Sequence, residues 1–366
     1  MKEHLSRILR CPITKGALRE MNINEIKAAN SRISKGELFH FDGTPVKREI
    51  SAGFVSLDRR FAYPIEEDIV IMLESLAIIL NKNVTDRIYG DGLRKEKKNV
   101  KDFYDQVGWQ KGEEEEFVDT LKHYDLRPVS KDYLHKCHLR VRRYIKPSGK
   151  YFLDVASGPI THPEYLSYSN GFDIRICIDL SFLALKEARK KLGDKGIYLL
   201  ADITNLPLKD DLVDAVVSLH TIYHVPADEQ SKAFHEVYRV LKPVSSAVVV
   251  YSWGPLVFLT KVMITTAQKI RAIRSKGNDL RSKEYSVPSG VDLYFHSHNY
   301  KWFISQKWRF DFDILPWRSV SPLFLKTCIH SWLFGKQILA LLYWLEERFP
   351  YLAGKLGQYP MIVIKK

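Results

Sequence analysis

The chain has 366 residues, 45% of them apolar and 27% charged, which suits a folded soluble protein and excludes a collagen-like or disordered one. Lys and Arg outnumber Asp and Glu by 56 to 43, a formal charge of +13, so nucleic acid, a phosphorylated substrate and a membrane surface stay open as partners beside simple solubility. Four cysteines (Cys11, Cys137, Cys177, Cys328) form no CxxC pair, which argues against a disulfide framework and a complete zinc site; no metal is expected. With no apolar run of about 18 residues and no signal-peptide core, a cytoplasmic protein is expected.

Residues 1–85 open with Leu9-Arg10-Cys11-Pro12-Ile13-Thr14 and continue through short apolar runs, Leu38–Phe41, Gly53–Leu57, Phe61–Ile65 and Ile69–Leu73, with turns at Asp42-Gly43 and Glu66-Glu67-Asp68. This predicts a small β-rich unit without chemistry of its own. Cys11-Pro12 and Tyr63-Pro64-Ile65 resemble the Trm112-like zinc-ribbon family, whose members carry four zinc cysteines. Here Thr14, Ser56 and Arg59 stand at the other ligand positions, and one cysteine cannot hold a tetrahedral zinc. The resemblance implies a metal-free relic held by apolar packing. It also implies an activator fused in cis, with no separate activator subunit.

Residues 86–150 are expected to be a linker and a helical cap. Arg87 to Lys101 is charged and reads as a solvated linker or exposed helix, and Glu113 to Glu116 as an exposed run. Between them Tyr104 and Trp109 can close over a flat ligand or simply dock the segment. Tyr133 to Tyr144 predicts a basic helix with one apolar side and a wet polar side. His135 and His138 have no third metal ligand in register.

From 151 to 255 strand-like runs end in acids: Tyr151–Val155 carries Asp154, Arg175–Asp179 ends in Asp179, and Ile197–Leu200 precedes Ala201-Asp202. A fourth, Ala215–Leu219, meets His220. Separated by helical patterns, these predict an α/β fold: a Rossmann-like, mostly parallel sheet with flanking helices, plus the N-terminal β-rich domain and C-terminal helical additions. Ligands of such sheets sit beyond the carboxyl ends of the strands, where the acids fall.

Asp154-Val155-Ala156-Ser157-Gly158-Pro159-Ile160 resembles the first motif of class I S-adenosylmethionine-dependent methyltransferases, with Ala156 and Ile160 in place of two of its glycines. Ala156 is tolerable if its φ stays negative; Ile160 implies a differently shaped turn. The later segments agree in order, through Leu241-Lys242-Pro243 to Ala247–Trp253. The resemblance implies S-adenosylmethionine as cofactor, with Tyr104, Asp154, Ala156, Gly158, Asp179, Asp202, Ile203 and Leu219 in its site. Asp179 would grip the ribose, Asp202 the adenine amine, and Ile203 would pack on the ring. A nicotinamide dehydrogenase, the nearest fold rival, would want Gly-x-Gly-x-x-Gly.

Methyl transfer needs alignment and, for a hydroxyl acceptor, a base. His220 and His224 flank the methyl end, with His220 preferred and Tyr223 between them. Residues 256–366 are read as the acceptor-selecting region and final strand. Thr260 to Ile273 is an amphipathic basic pattern and Asn278 to Ser286 is polar. Tyr294 to Phe303 packs five aromatics with His296 and His298, a wall for a ring-bearing acceptor or a helix start docked into the core. His298 joins the candidate catalytic groups; Trp109, Tyr223, His296, Tyr300 and Arg318 are candidate acceptor contacts, with Arg318 as an anion clamp. Leu323 to Leu345 is apolar and helical, able to lie on a membrane or to pack over the pocket. Tyr359 to Lys366 predicts an antiparallel edge strand.

The expected activity is methylation of an oxygen or nitrogen of a small-molecule, glycan or lipid-linked acceptor. RNA or protein methylation ranks behind it, then a non-catalytic scaffold, motivated by the lost glycines and zinc ligands.

Overall fold

Every apolar strand run in the middle of the chain pairs with another in parallel, and the acids at their ends line up along one edge. The computed structural model describes residues 2–81, 92–112, 116–253, 265 and 293–366. The strands are β1 (Leu18–Glu20), β2 (Gly53–Ser56), β3 (Phe61–Glu66), β4 (Ile69–Ile71), β5 (Ile78–Ile79), β6 (Gly149–Val155), β7 (Phe172–Asp179), β8 (Gly196–Leu200), β9 (Val213–Leu219), β10 (Leu241–Val250), β11 (Asp311–Arg318) and β12 (Tyr359–Lys365).

They order as β1-β2-β3-β4-β8-β7-β6-β9-β10-β12-β11, with β5 beside β3. From β4 to β10 neighbours run parallel. The remaining pairs are antiparallel. The chain moves outward from β6 through β7 to β8, then returns to place β9 on the other side. The crevice between β6 and β9 is therefore the topological switch point, where such sheets bind ligands.

Alternation of side chains splits the core between the two faces. Tyr151, Leu153 and Val155 face one apolar cluster and Phe152 the other; Ile197 and Leu199 oppose Tyr198 and Leu200 in the same way. Both faces of these strands are covered, which explains their near-continuous apolar sequence. The helix Phe182–Leu192 is capped by Ser181, whose side chain accepts the Ala184 amide.

The N-terminal module is not only β. Ile23–Ser34 is a helix opened by an Asn22/Glu25 capping box, which satisfies two amides at once. The module has its own small core, including Met21, Ile33, Leu38 and Val55. Its β4 pairs in parallel with β8, Ile69 opposite Tyr198 and Ile71 opposite Leu200, so the module extends the central sheet rather than standing apart.

Other expectations need correction. Lys95–Phe103 is a helix with Lys97, Val100 and Phe103 buried, so this end of the charged segment is no solvated linker. In the helix Lys131–Arg140, His138 and Arg140 are buried; Arg140 meets Glu346 and Glu347, so the polar side does not stay wet. The last strand, β12, lies inside the sheet between β10 and β11; β11 is the edge. The apolar segment after Leu323 divides into the helices Pro322–Cys328 and Gly335–Arg348, separated by a turn where Phe334 takes φ 53°. The segments Arg87 to Asp91, Glu113 to Glu115, Thr260 to Ile273 (Thr265 apart) and Asn278 to Ser286 lie outside the described residues.

Candidate cofactor and acceptor site

The four strand ends β6 to β9 open into one cavity of about 330 Å³, within the ~300–1,000 Å³ usual for small-ligand sites. At its floor Asp154 and Arg175 form a buried ion pair, with the Arg175 Nε 3.2 Å from Asp154 Oδ2. Arg175 also donates to the Tyr165 carbonyl at 2.7 Å, so the β6 and β7 ends are tied to the helix Pro163–Ser167. Asp154 is therefore a support beneath the loop as well as a lining residue.

Above it the loop turns three times through the left-handed region. Ala156, Gly158 and Ile160 have φ of 55°, 53° and 54°. Ala156 thus does not keep the negative φ expected of it, and the two non-glycine residues carry strain of about 1–2 kcal/mol each. The turn keeps the shape that glycines favour even where the glycines are gone. A Cβ on Gly158 would come within 3.1 Å of the Trp109 ring, so this position must stay bare for the indole to cover it.

Asp179 closes the second strand. Its Oδ2 accepts the Gly158 amide at 2.9 Å and its Oδ1 accepts the Ser181 amide at 2.8 Å, which leaves each oxygen lone-pair capacity toward the cavity. Burial raises its carboxyl to about 6. Asp202, at the end of the third strand, is more fully engaged: Oδ1 accepts from the Thr204 amide and hydroxyl at 2.8 and 2.9 Å, and Oδ2 lies 2.5 Å from Lys97 Nζ. Lys97 reaches Glu229 at 2.5 Å as well. The acid expected to take the adenine amine is already neutralised from the neighbouring helix. Ile203 is buried beside it, and Leu219 lines the cavity at the fourth strand end.

Tyr104 and Trp109 both line the cavity, but they stack on each other, centroids 4.7 Å apart, instead of closing separately on a flat ligand. They flank the one π-helical turn among the described residues, Tyr104–Gly108. Such turns often mark functional sites because they push one residue out of register.

Just past the fourth strand His220 also adopts φ 60°, and its ring lies in the cavity against Trp317 at 4.4 Å and Tyr359 at 5.2 Å. Its ring has no hydrogen-bond partner among the described residues. Burial, then the Arg318 charge, push its pKa well below the ordinary imidazole value, so it is neutral at pH 7. His224 is held by a 2.7 Å bond between Nδ1 and the Tyr294 carbonyl, and burial lowers it to about 4. Tyr223 is buried between them and touches the Phe295 ring. Arg318, the last residue of β11, lines the same cavity.

The structure does not bring His296, His298 and Tyr300 to this cavity. His296 is exposed and donates its amide to the Tyr223 carbonyl. His298 stacks on Trp302 at 3.7 Å, and Tyr300 begins the short helix Tyr300–Ser305 under Lys355. Of the aromatic segment only Phe295 lines the cavity, while the segment's other rings dock the chain onto the core.

Sequence reading missed Lys97, Asp119, His123, Tyr124 and Tyr165, which line the cavity from the connecting region and the helix after β6. Burial raises Asp119 to about 6 and lowers His123 to about 4. Only Lys97 had a detectable signal, as one apolar-spaced partner of Val100 and Phe103. His138 also finds neighbours that sequence did not supply: His162 and Glu164, whose ligand atoms all lie within 4.8 Å. Glu164 is itself bonded by His135, and burial lowers the pKa of His138 and His162, so this group is a compact cluster of imidazoles around one carboxylate beside the cavity.

Comparison with known proteins agrees with the central geometry. Residues 153–249 match the family model described as "Methyltransferase domain". The sterol methyltransferase-like 1 of Botryococcus braunii is 30% identical over 135 residues, 34% of this chain and 34% of the relative's own length. This chain therefore aligns with about a third of that relative. Among solved structures, geranyl diphosphate C-methyltransferase from Streptomyces coelicolor A3(2) is matched over 74% of this chain and 98% of that one, at TM-score 0.43 and 12% identity. Phosphoethanolamine N-methyltransferase 2 from Haemonchus contortus is matched over 95% of this chain and 76% of that one, at TM-score 0.41 and 16% identity. The central module, residues 153–249, is thus similar to methyltransferase domains.

Proposed function

We propose that this chain transfers a methyl group from S-adenosylmethionine to an oxygen or nitrogen of a small-molecule or lipid-linked acceptor. One observation carries the reading: the recessed carboxylate of Asp179, locked to the Gly158 amide, and the ring of His220, unbonded among the described residues, open into the same cavity. The donor set fits the cofactor. Asp179 has acceptor capacity for a ribose diol, Ile203 and Leu219 offer apolar surface, and the bare Gly158 allows close backbone approach. The departure is at Asp202, where Lys97 already occupies the carboxylate. The cofactor, when bound, supplies a methyl already activated by its sulfonium charge.

The protein's own part is alignment, exclusion of water and proton removal. Tyr104 and Trp109 shield the loop, while neutral His220 can accept a proton from an acceptor hydroxyl or amine. The largely aromatic surroundings of His220 favour a small or lipid-linked acceptor over an RNA strand, which would want a continuous Lys/Arg track. Isotope-labelled cofactor incubated with a cell extract tests this. Label should enter the small-molecule or lipid fraction with the native protein and not with His220→Asn; label in RNA or protein contradicts it.

For the N-terminal module the reading is a Trm112-like activator acting in cis. Two turns retain a ribbon-like economy without metal: the Thr14 amide donates to Cys11 Sγ at 3.3 Å, and the Arg60 and Phe61 amides donate to Ser56 Oγ at 3.2 and 3.0 Å. Its β4 covers the open edge of β8. Removal of residues 1–81 should leave the remainder aggregation-prone; a soluble remainder with full cofactor affinity would remove the activator role.

A cytoplasmic protein in peripheral contact with anionic membrane is the accompanying proposal. No described helix is long and apolar enough to cross a bilayer. Yet most exposed large apolar side chains fall between Leu323 and Leu356, among them Trp332, Phe334, Leu341 and Trp344, with Lys336, Arg348 and Lys355 exposed alongside. Co-sedimentation with phosphatidylglycerol vesicles, lost in Trp344→Glu and absent with phosphatidylcholine, would support it; equal recovery of both proteins would not.

A further inference from the structure

Among the described residues three arginines are almost wholly enclosed, and two of them have their carboxylates. Arg140, 2% exposed, lies 3.1 Å from Glu346, and Arg175, also 2% exposed, pairs with Asp154. The third is Arg318, 3% exposed, and it pairs with no carboxylate among the described residues. Its Nε and Nη1 are buried without any hydrogen-bond partner. The guanidinium packs against two aromatic rings that meet edge to face, 5.0 Å from that of Trp317 and 4.9 Å from that of Tyr359. It lines the cavity that also holds Asp179 and His220.

An enclosed guanidinium without a counter-charge is costly, because burial removes its water and nothing replaces it. The surrounding wall does not compensate. Tyr124 and Tyr165, which share a 2.8 Å hydroxyl–hydroxyl bond, line the cavity with His220 and Tyr359. These are phenols and a neutral imidazole; the carboxylates that line other parts of the cavity, Asp119, Asp154, Asp179 and Asp202, make no ion pair with Arg318. The positive charge of Arg318 is felt by three of the wall's rings: it lowers the pKa of His220 and partly offsets the burial-driven rise of Tyr124 and Tyr165. The flat guanidinium fork, packed against the Trp317 and Tyr359 rings, is preorganised for a two-oxygen anion.

We infer that the methyl acceptor carries a carboxylate or phosphate group and that Arg318 binds it inside the cleft, close to the atom that receives the methyl. The inference rests on the methyl-transfer reading above and names the acceptor class for that same site. Closeness follows from shared neighbours: the Trp317 and Tyr359 rings that touch Arg318 also touch His220, at 4.4 and 5.2 Å. The acceptor's charge and its nucleophilic atom are therefore separated by no more than a few bonds. A hydroxy acid or a phosphorylated amine or alcohol has that shape; a neutral sugar or a sterol does not. The rival occupant is the carboxylate of the methyl donor's own amino-acid end, and the test separates the two.

Full-length protein saturated with S-adenosylhomocysteine is titrated with benzoate, phenyl phosphate and neutral benzyl alcohol, read by calorimetry. At least one of the two anions should bind and the alcohol should not; which anion binds tells carboxylate from phosphate. Arg318→Met should weaken anion binding by at least about tenfold and Arg318→Lys by less, since the charge remains but the fork is lost. Affinity for S-adenosylmethionine should stay within about twofold in both variants, which also shows that they fold. Should Arg318→Met not fold, the anion affinity of Arg318→Lys decides: unchanged binding overturns the inference. It is also overturned if the native protein binds neither anion, if the alcohol binds equally well, or if cofactor affinity collapses with Arg318 removed. Failure of the native protein to bind S-adenosylmethionine at all would instead sink the methyl-transfer reading.

Discussion

Lys97 reaches across from the connecting helix to lie 2.5 Å from Asp202, the acid at the end of the third central strand. The pair is enclosed, with side-chain exposures of 9% and 15%. Lys97→Met should leave a buried carboxylate without its counter-charge and cost about 3 kcal/mol of stability. Urea unfolding of both proteins measures this. A difference below about 0.5 kcal/mol would show that the helix Lys95–Phe103 is held by its apolar contacts alone.

The loop that bends under Trp109 yields a pair of opposite effects. Gly158→Ala places a methyl 3.1 Å from the indole at a φ of 53° and should weaken cofactor binding. Ala156→Gly removes strain at φ 55° and should stabilise the protein by about 1 kcal/mol. Thermal unfolding and cofactor titration of the two variants check the signs.

Cofactor affinity should depend on pH through Asp179, whose carboxyl burial raises to about 6. Only the ionised carboxylate has both oxygens free to accept from a diol. As pH falls through about 6 the group takes up a proton and affinity should fall, while above pH 7 it should be flat. Asp179→Asn should bind weakly and without that pH step. A native protein whose affinity is constant from pH 5 to about 8 would separate Asp179 from cofactor binding.

The two cavity histidines should part company on substitution. His220→Asn keeps a side chain that tolerates its left-handed backbone, and methyl transfer should drop by about 10²–10⁴-fold with cofactor affinity unchanged. His224→Ala loses the bond to the Tyr294 carbonyl and should cost about 1 kcal/mol of stability with a small change in rate. The reverse pattern would make His224 the base.

Much of this site was legible because strand ends are local signals. Short apolar runs closing in Asp154, Asp179 and Asp202 place those acids on one edge of a parallel sheet whatever the remainder of the chain does. Three things were not legible. Lys97, Tyr124 and Tyr165 come from segments far apart in sequence, and only the folded chain brings them to one cavity. The loop's left-handed backbone at Ala156 and Ile160 is hidden because neither residue favours it; surrounding contacts hold it there. The aromatic segment from Tyr294 to Phe303 has the composition of a ligand wall, yet His298 stacks on Trp302 and Phe303 is wholly buried. Composition alone does not distinguish a ring that faces a ligand from one that fills a core. The helix Ile23–Ser34 was written in the sequence, in the Asn22-to-Glu25 spacing, and was masked by the strand-rich runs around it.

The direct measurement is a calorimetric titration of the full-length protein with S-adenosylmethionine, repeated with Asp179→Ala. Saturable one-site binding, weakened at least about tenfold in the variant, is the expected result. No binding at millimolar cofactor, or the same affinity in both proteins, would contradict the assignment of this cavity to the methyl donor.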